Sequence, residues 1–146
     1  MSRELPTSLL MFIAHRTAEN RIYEAVTAQG YDDVTIAQSR LLMGIDETGT
    51  RVSVLADRAQ VAKQTATALV DRLETAGYVE RVPDATDGRA RLVRLTPRAK
   101  EAIPIARAEE QRIEEEWEAH LGTRRMQQLR EALTMLRQIT DPYLES

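Results

Sequence analysis

The stretch SVLADRAQVAKQTATALVDRLETAGYVERVPDATDGRARLVRLT, residues 53–96, decides how the chain is read. Ser53 is placed to cap a short helix over Val54–Ala59, and after a brief turn a second helix runs from about Lys63 to Ala76. By helical spacing its Ala66, Leu69, Val70 and Leu73 fall on one side, and Lys63, Gln64, Thr67 and Arg72 on the other. Gly77 ends it. Tyr78 to Pro83 reads as a strand, Asp84 to Ala90 as a charged turn containing Gly88, and Arg91 to Leu95 as a second strand. The spacing predicts a β-hairpin with a loop longer than the tight two-residue type. The stretch is thus a helix-turn-helix followed at once by a basic hairpin.

Working outward, Thr35-Ile36-Ala37-Gln38 is a capping box, in which the Thr35 hydroxyl and the Gln38 amide satisfy orphan backbone donors. The helix it opens carries Ile36, Leu41, Leu42 and Ile45 and is expected to stop near Gly49. Residues 8–28 form a helix on the recurrence of Leu9, Phe12, Ile13, Ile22, Tyr23 and Val26, with Gly30 as its stop. On the far side, Thr96-Pro97 starts a long helix to about His120, with Thr96 as N-cap and Pro97 at the first helical position. Pro104 inside it is expected to kink the helix or to make its start irregular. Gly122 breaks the chain. A last helix, about Thr123–Ile139, shows a stripe of Met126, Leu129, Leu133, Leu136 and Ile139 before Asp141-Pro142 ends it.

The chain has 146 residues, the size of one domain, and is 42% hydrophobic and 29% charged, as globular proteins are. Aromatic residues make up only 4%, too few for a stacking platform that holds single-stranded nucleic acid. The absence of cysteine excludes disulfides, thiolate metal sites and thiol redox sensing, and fits a reducing cytoplasm. The longest apolar run, Leu9 to Ala14, is far too short to span a membrane and lacks a signal-peptide cleavage pattern. The net charge of −3 hides a split: residues 51–100 carry ten Lys and Arg against six Asp and Glu, a net of +4, and the remainder has a net of −7. A local basic segment suits phosphate contacts, and an acidic remainder orients the protein on DNA.

A second helix set in the major groove needs short polar or basic side chains near its N-terminus, and Lys63, Gln64, Thr65 and Thr67 meet that need. Gln bonds adenine bidentately, Lys favours guanine and a Thr methyl touches thymine. Arg89 and Arg91 flank the hairpin tip. An Arg on a projecting loop is drawn into the minor groove by its negative potential, and Asp87 is placed to hold the Arg89 guanidinium. Enzymatic signatures are missing: there is no cysteine nucleophile and no phosphate-binding glycine loop, and the two histidines have no Ser partner. Glu116 and His120 stand four apart, but two ligands are too few for a metal site, so no metal or cofactor is expected.

Leu55-Ala56, Thr65, Leu69-Val70-Asp71-Arg72-Leu73-Glu74, Gly77-Tyr78-Val79 and Arg81 resemble the MarR family of regulators. Asp87-Gly88-Arg89 through Leu95-Thr96 is similar to that family's wing signature. The resemblance implies a mainly α fold: a winged helix-turn-helix lobe at 35–96 and a helical dimerisation region formed by 1–30 and 97–146, within one domain over 1–146. It implies a homodimer on a palindromic double-stranded operator, most often as a repressor, with a small aromatic acid or phenol as effector. Recognition residues carried over are Lys63, Gln64, Thr65 and Thr67, with Arg89 in the wing. Candidate effector-lining residues are Met11, His15, Arg16 and Met43, where Arg16 or His15 would anchor a carboxylate. Ala62 departs from the pattern, because many members have a capping Ser there. The competing reading is a protein-interaction module that keeps the winged-helix fold without specific DNA binding.

Overall fold

The computed structural model describes residues 4–142, so the ends of the expected dimerisation region, 1–3 and 143–146, lie outside the described residues. The order is α1 (Thr7–Ala28), α2 (Ile36–Met43), α3 (Val52–Ala59), α4 (Lys63–Thr75), β1 (Val79–Asp84), β2 (Asp87–Leu95), α5 (Pro97–Leu121) and α6 (Thr123–Thr140). The chain divides into two compact units, Met1–Arg107 and Ala108–Ser146, with α5 running from one into the other.

In the first unit, α2, α3 and α4 pack around one core with the base of the hairpin. Leu41, Leu55, Ala56, Ala66, Val70, Leu73, Tyr78, Val79 and Val93 are all buried there. The capping box at Thr35 and Gln38 is formed as expected: the Gln38 N–H donates to Thr35 Oγ1 at 3.2 Å and the Thr35 N–H to Gln38 Oε1 at 3.0 Å. The α2 helix stops at Met43, well short of Gly49. The Arg58 guanidinium donates to the Gly44 carbonyl at 2.6 Å, which satisfies a helix-end acceptor without another turn. Ile45 is still buried, but beyond the helix.

The segment after α2 belongs to the sheet. Thr50 exchanges two backbone hydrogen bonds with Val93, at 2.9 and 2.8 Å, and so lies against β2 like a one-residue third strand. This moves the start of α3. With Thr50 pinned, Arg51 takes the extended N-cap conformation and the helix begins at Val52, leaving Ser53 inside the first turn rather than capping it. Gly49 allows the approach: its φ is +102°, and a Cβ there would lie 3.0 Å from the Leu92 Cβ. Gly49→Ala is therefore expected to cost about 1–3 kcal/mol through combined backbone strain and crowding. A urea titration of wild type and variant measures this.

Two left-handed residues shape the helix-turn-helix. Gln60 has φ 54° and closes α3, with the Val61 N–H reaching the Ala56 carbonyl at 3.0 Å. Gly77 (φ +86°) closes α4 in a Schellman motif: Tyr78 N–H bonds to the Leu73 carbonyl at 2.9 Å and Gly77 N–H to Glu74 at 3.0 Å. Buried Tyr78 and Leu73 supply the apolar contact that accompanies such a cap. The α4 end is then tied to the start of α5. The Arg98 guanidinium donates to the Ala76 carbonyl, lies 4.4 Å from the Tyr78 ring centre and pairs with Asp33 at 3.1 Å. The Tyr78 hydroxyl donates to Asp33, whose carboxyl is held below its ordinary value first by that bond. Thr96 caps α5 as expected, since its Oγ1 accepts from the Ala99 N–H at 3.4 Å and donates to the Gly77 carbonyl at 2.6 Å.

In the second unit the end of α5 and α6 meet at Gly122, whose φ of +88° makes the turn. Ile113 and Met126 are buried, and Arg130 pairs with Glu114 at 3.2 Å. Pro104, inside α5, leaves the helix continuous. No helix among the described residues is long and apolar enough to cross a membrane.

Candidate nucleic-acid interface

The α4 helix buries Ala66, Val70 and Leu73, so the side opposite these faces outward. Lys63, Gln64, Thr65 and Thr67 are all exposed. At 3.6 residues per turn, Gln64 and Thr67 share the outward face with Ala68 and Asp71, and Lys63 and Thr65 flank it. The Thr67 hydroxyl donates to the Lys63 carbonyl at 3.0 Å, which leaves its methyl group outward. Ala68 was missed in reading the sequence. It is exposed at mid-helix, and a methyl there allows close approach of the backbone to base edges. Helical phase counted from the buried residues would have found it. Ala62 stands at the N-cap with no side-chain hydrogen bond, so the N-terminus of α4 keeps its orphan N–H groups.

The hairpin departs from expectation at its tip. Asp84 pairs with Asp87, so the turn is the two residues Ala85 and Thr86, not a long loop. The next pair is Pro83 with Arg91, which leaves Gly88, Arg89 and Ala90 as a bulge on β2 without partners on β1. The extra length read as loop is thus absorbed by the strand. Arg89 projects from the bulge and Arg91 follows it, both exposed.

Asp87 does not grip the Arg89 guanidinium. Its Oδ1 accepts the Arg89 backbone N–H at 3.1 Å, and its other oxygen lies 3.7 Å from the Arg51 guanidinium. Asp84, buried, accepts from the Thr86 N–H at 2.9 Å, the Thr86 hydroxyl at 2.8 Å and Arg51 Nη2 at 2.9 Å. The Thr86 N–H first, then Arg51 and the Thr86 hydroxyl, lower the Asp84 carboxyl from 3.8 to about 2. A carboxyl depressed on folding contributes its full stability only above the unfolded value, and protonation removes it as pH falls from 3.8 toward about 2. Asp84→Asn is expected to be less stable than wild type near neutrality but to lose less stability across that acid window. Urea midpoints measured against pH for both proteins test this.

The basic residues of 51–100 separate into two groups. Arg51, Arg58, Arg81, Arg94 and Arg98 are held by Asp84, Asp46, Asp71 with Glu74, Glu80 and Asp33 respectively. Lys63, Arg72, Arg89, Arg91 and Lys100 have no ion pair among the described residues. The first group braces the lobe: Arg81, for example, ties β1 to α4 at 2.6 Å from Asp71 and 2.8 Å from Glu74. Of the second group, Lys63 lies at the start of α4 and Arg89 and Arg91 on the hairpin, while Arg72 stands in the last turn of α4 and Lys100 on α5.

The candidate effector residues are exposed on α1 and α2. His15 lies 3.6 Å from Glu19, which pairs with Arg40 at 2.6 Å and so joins the two helices. Arg16 stacks over Phe12 at 5.6 Å, and Met43 is 74% exposed, one turn beyond Arg40. Glu116 and His120 gather no third ligand: among the described residues no three His, Cys, Asp or Glu side chains come together as a metal site.

Residues 32–90 match the model of the MarR family. An HTH-type transcriptional regulator of Bacillus subtilis strain 168, YfiV, itself uncharacterised, is 36% identical over 69 residues, 47% of this chain and 43% of the relative. The match thus spans less than half of that relative's length. The transcriptional regulator Tm0710 of Thermotoga maritima is 26% identical and superposes with a TM-score of 0.64 over 93% of this chain and 94% of its own. Wild-type MarR of Escherichia coli in its apo form, at 23% identity, shares the fold with a TM-score of 0.72 over 92% of this chain and 98% of its own. The MarR family model falls on the helix-turn-helix and the start of the wing described above, and the fold of Tm0710 and of Escherichia coli MarR is shared over more than nine-tenths of the chain, so this segment is similar to the MarR family of transcription regulators.

Proposed function

We propose that the protein is a sequence-specific double-stranded DNA-binding repressor of transcription that works in the cytoplasm as a homodimer on a palindromic operator. Residues 35–96 are the DNA-binding lobe, and 1–30 with 97–146 form the dimerisation region. The observation that carries the reading is the sorting of cations in the lobe. Those that brace the fold are paired with carboxylates, while Lys63, at the start of an outward helix face, and Arg89 and Arg91, on the hairpin, are left uncompensated. Lys63, Gln64, Thr65 and Thr67 read base edges in the major groove, Arg89 enters the adjacent minor groove, and Arg91 lies over phosphate. The work is binding, not catalysis.

Two exposed apolar faces support the dimer. On α1 these are Leu9, Leu10, Met11 and Phe12, with Leu5 just before the helix; on α6 they are Leu129, Leu133, Met135, Leu136 and Ile139. Exposed apolar surface of this extent on consecutive helix turns is characteristic of an interface, and a two-fold dimer matches a palindromic site. A small aromatic acid or phenol seated near Met11, His15, Arg16 and Met43 acts as effector by favouring one spacing of the two lobes. Selection from a random duplex library at near-physiological salt tests the function. A recovered palindrome with half-sites about one helical turn apart supports it. Folded dimeric protein that enriches nothing, with or without aromatic acids, favours an interaction module instead.

A further inference from the structure

The hairpin tip sets two carboxylates against each other. Asp84 and Asp87 are direct cross-strand partners on either side of the two-residue turn. Like charges placed directly opposite destabilise a strand pair. A cation resolves the conflict. Arg51 Nη2 lies 2.9 Å from Asp84 and 3.7 Å from Asp87, and Arg51 Nε lies 3.3 Å from Asp84. Arg51 does not belong to the hairpin. It stands at the N-cap of α3, thirty-three residues before Asp84, held beside β2 by the double backbone bond of Thr50 with Val93. The line of contact then continues, because Asp87, steadied by Arg51, accepts the backbone N–H of Arg89.

We propose that Arg51 is a positioning residue for the wing: from the helix-turn-helix it locks the hairpin tip, and so fixes how Arg89 is presented to the minor groove. This rests on the DNA-binding reading above and assigns it a specificity determinant that does not itself touch DNA. The minor groove distinguishes A·T from G·C steps mainly through its width and potential, so a wing held in one place reads that difference and a loose wing does not.

The test uses the full-length protein with Arg51→Met, Arg51→Lys, Arg89→Ala and the Arg51→Met/Arg89→Ala pair. Duplexes are the selected operator and a copy with the A·T steps beyond each major-groove half-site replaced by G·C. Arg51→Met is expected to bind the operator about tenfold or more weaker and to lose most of its preference for A·T in the flank. Base preferences within the half-site stay as in wild type. Arg51→Lys recovers part of the preference, and the double variant binds no worse than Arg89→Ala alone. Additive losses, or an unchanged flank preference in Arg51→Met, overturn the proposal, since Arg51 would then be an independent contact or a bystander. A measurement without DNA decides the lock by itself. The Arg89 amide of Arg51→Met should exchange hydrogen faster than in wild type, while the Tyr78 amide in the core does not. Unchanged Arg89 exchange overturns the lock whether or not any duplex binds; failure of the wild type to select a duplex overturns the DNA-binding reading instead.

Discussion

Leu133→Glu combined with Leu136→Glu is expected to leave a folded protein that sediments as a monomer at micromolar concentration and binds the operator at least about 100-fold more weakly than wild type. Both leucines are exposed on α6, at 39% and 36%. Neither belongs to the buried core, so the variant is expected to keep its fold, at some cost in stability. In a dimer they are buried, and each leucine withdrawn from water contributes about 1.5–3 kcal/mol. The two substitutions remove that contribution in both protomers and place four carboxylates in an apolar seam, where desolvation opposes their charge. The DNA defect follows because two linked lobes bind the second half-site at high effective concentration, and a monomer must bind each alone. Sedimentation velocity together with a titration of the operator checks both parts. A variant that stays dimeric moves the interface away from α6.

Arg89→Ala should have the next largest effect. Arg89 carries no ion pair among the described residues and projects from an unpaired bulge, so its removal costs the fold little. Two wings act on one operator. At about 1–2 kcal/mol per wing the loss is on the order of 30- to 1000-fold, and the salt slope of binding falls by about 2. Arg81→Ala is the informative contrast. It removes the same formal charge from the lobe, but that charge is already paired with Asp71 and Glu74. Its expected defect is in stability, with a salt slope close to wild type. Urea unfolding and filter binding at several salt concentrations separate the two kinds of arginine. Equal slopes for both variants would contradict the division into bracing and uncompensated cations.

What could be read in the sequence follows the range of the interactions. The Thr35–Gln38 capping box, the Thr96 cap and the Gly77 stop are set within three or four residues, and each stands in the structure where the pattern places it. The outward face of α4 was legible for the same reason, since helical phase is local. The start of α3 was not, because Thr50 is fixed by Val93 far along the chain and the helix begins beside that anchor instead of at Ser53. Nor was the short hairpin turn, whose register depends on a bulge that absorbs Gly88, Arg89 and Ala90. The expected Asp87–Arg89 grip was right in its partners and wrong in its atoms: a carboxylate two residues before a backbone N–H closes a local turn, leaving the guanidinium outward. Arg51 carried no sequence signal, because its partners lie on the far side of α3 and α4.

The most direct test of the central claim is a titration of purified protein with the selected palindrome and with a scrambled duplex of equal length and composition, at several salt concentrations. The account predicts that log affinity falls linearly with log salt for both duplexes, and that the palindrome binds at least about 1000-fold tighter near physiological salt. Equal affinity for the two duplexes, or binding indifferent to salt, would contradict it.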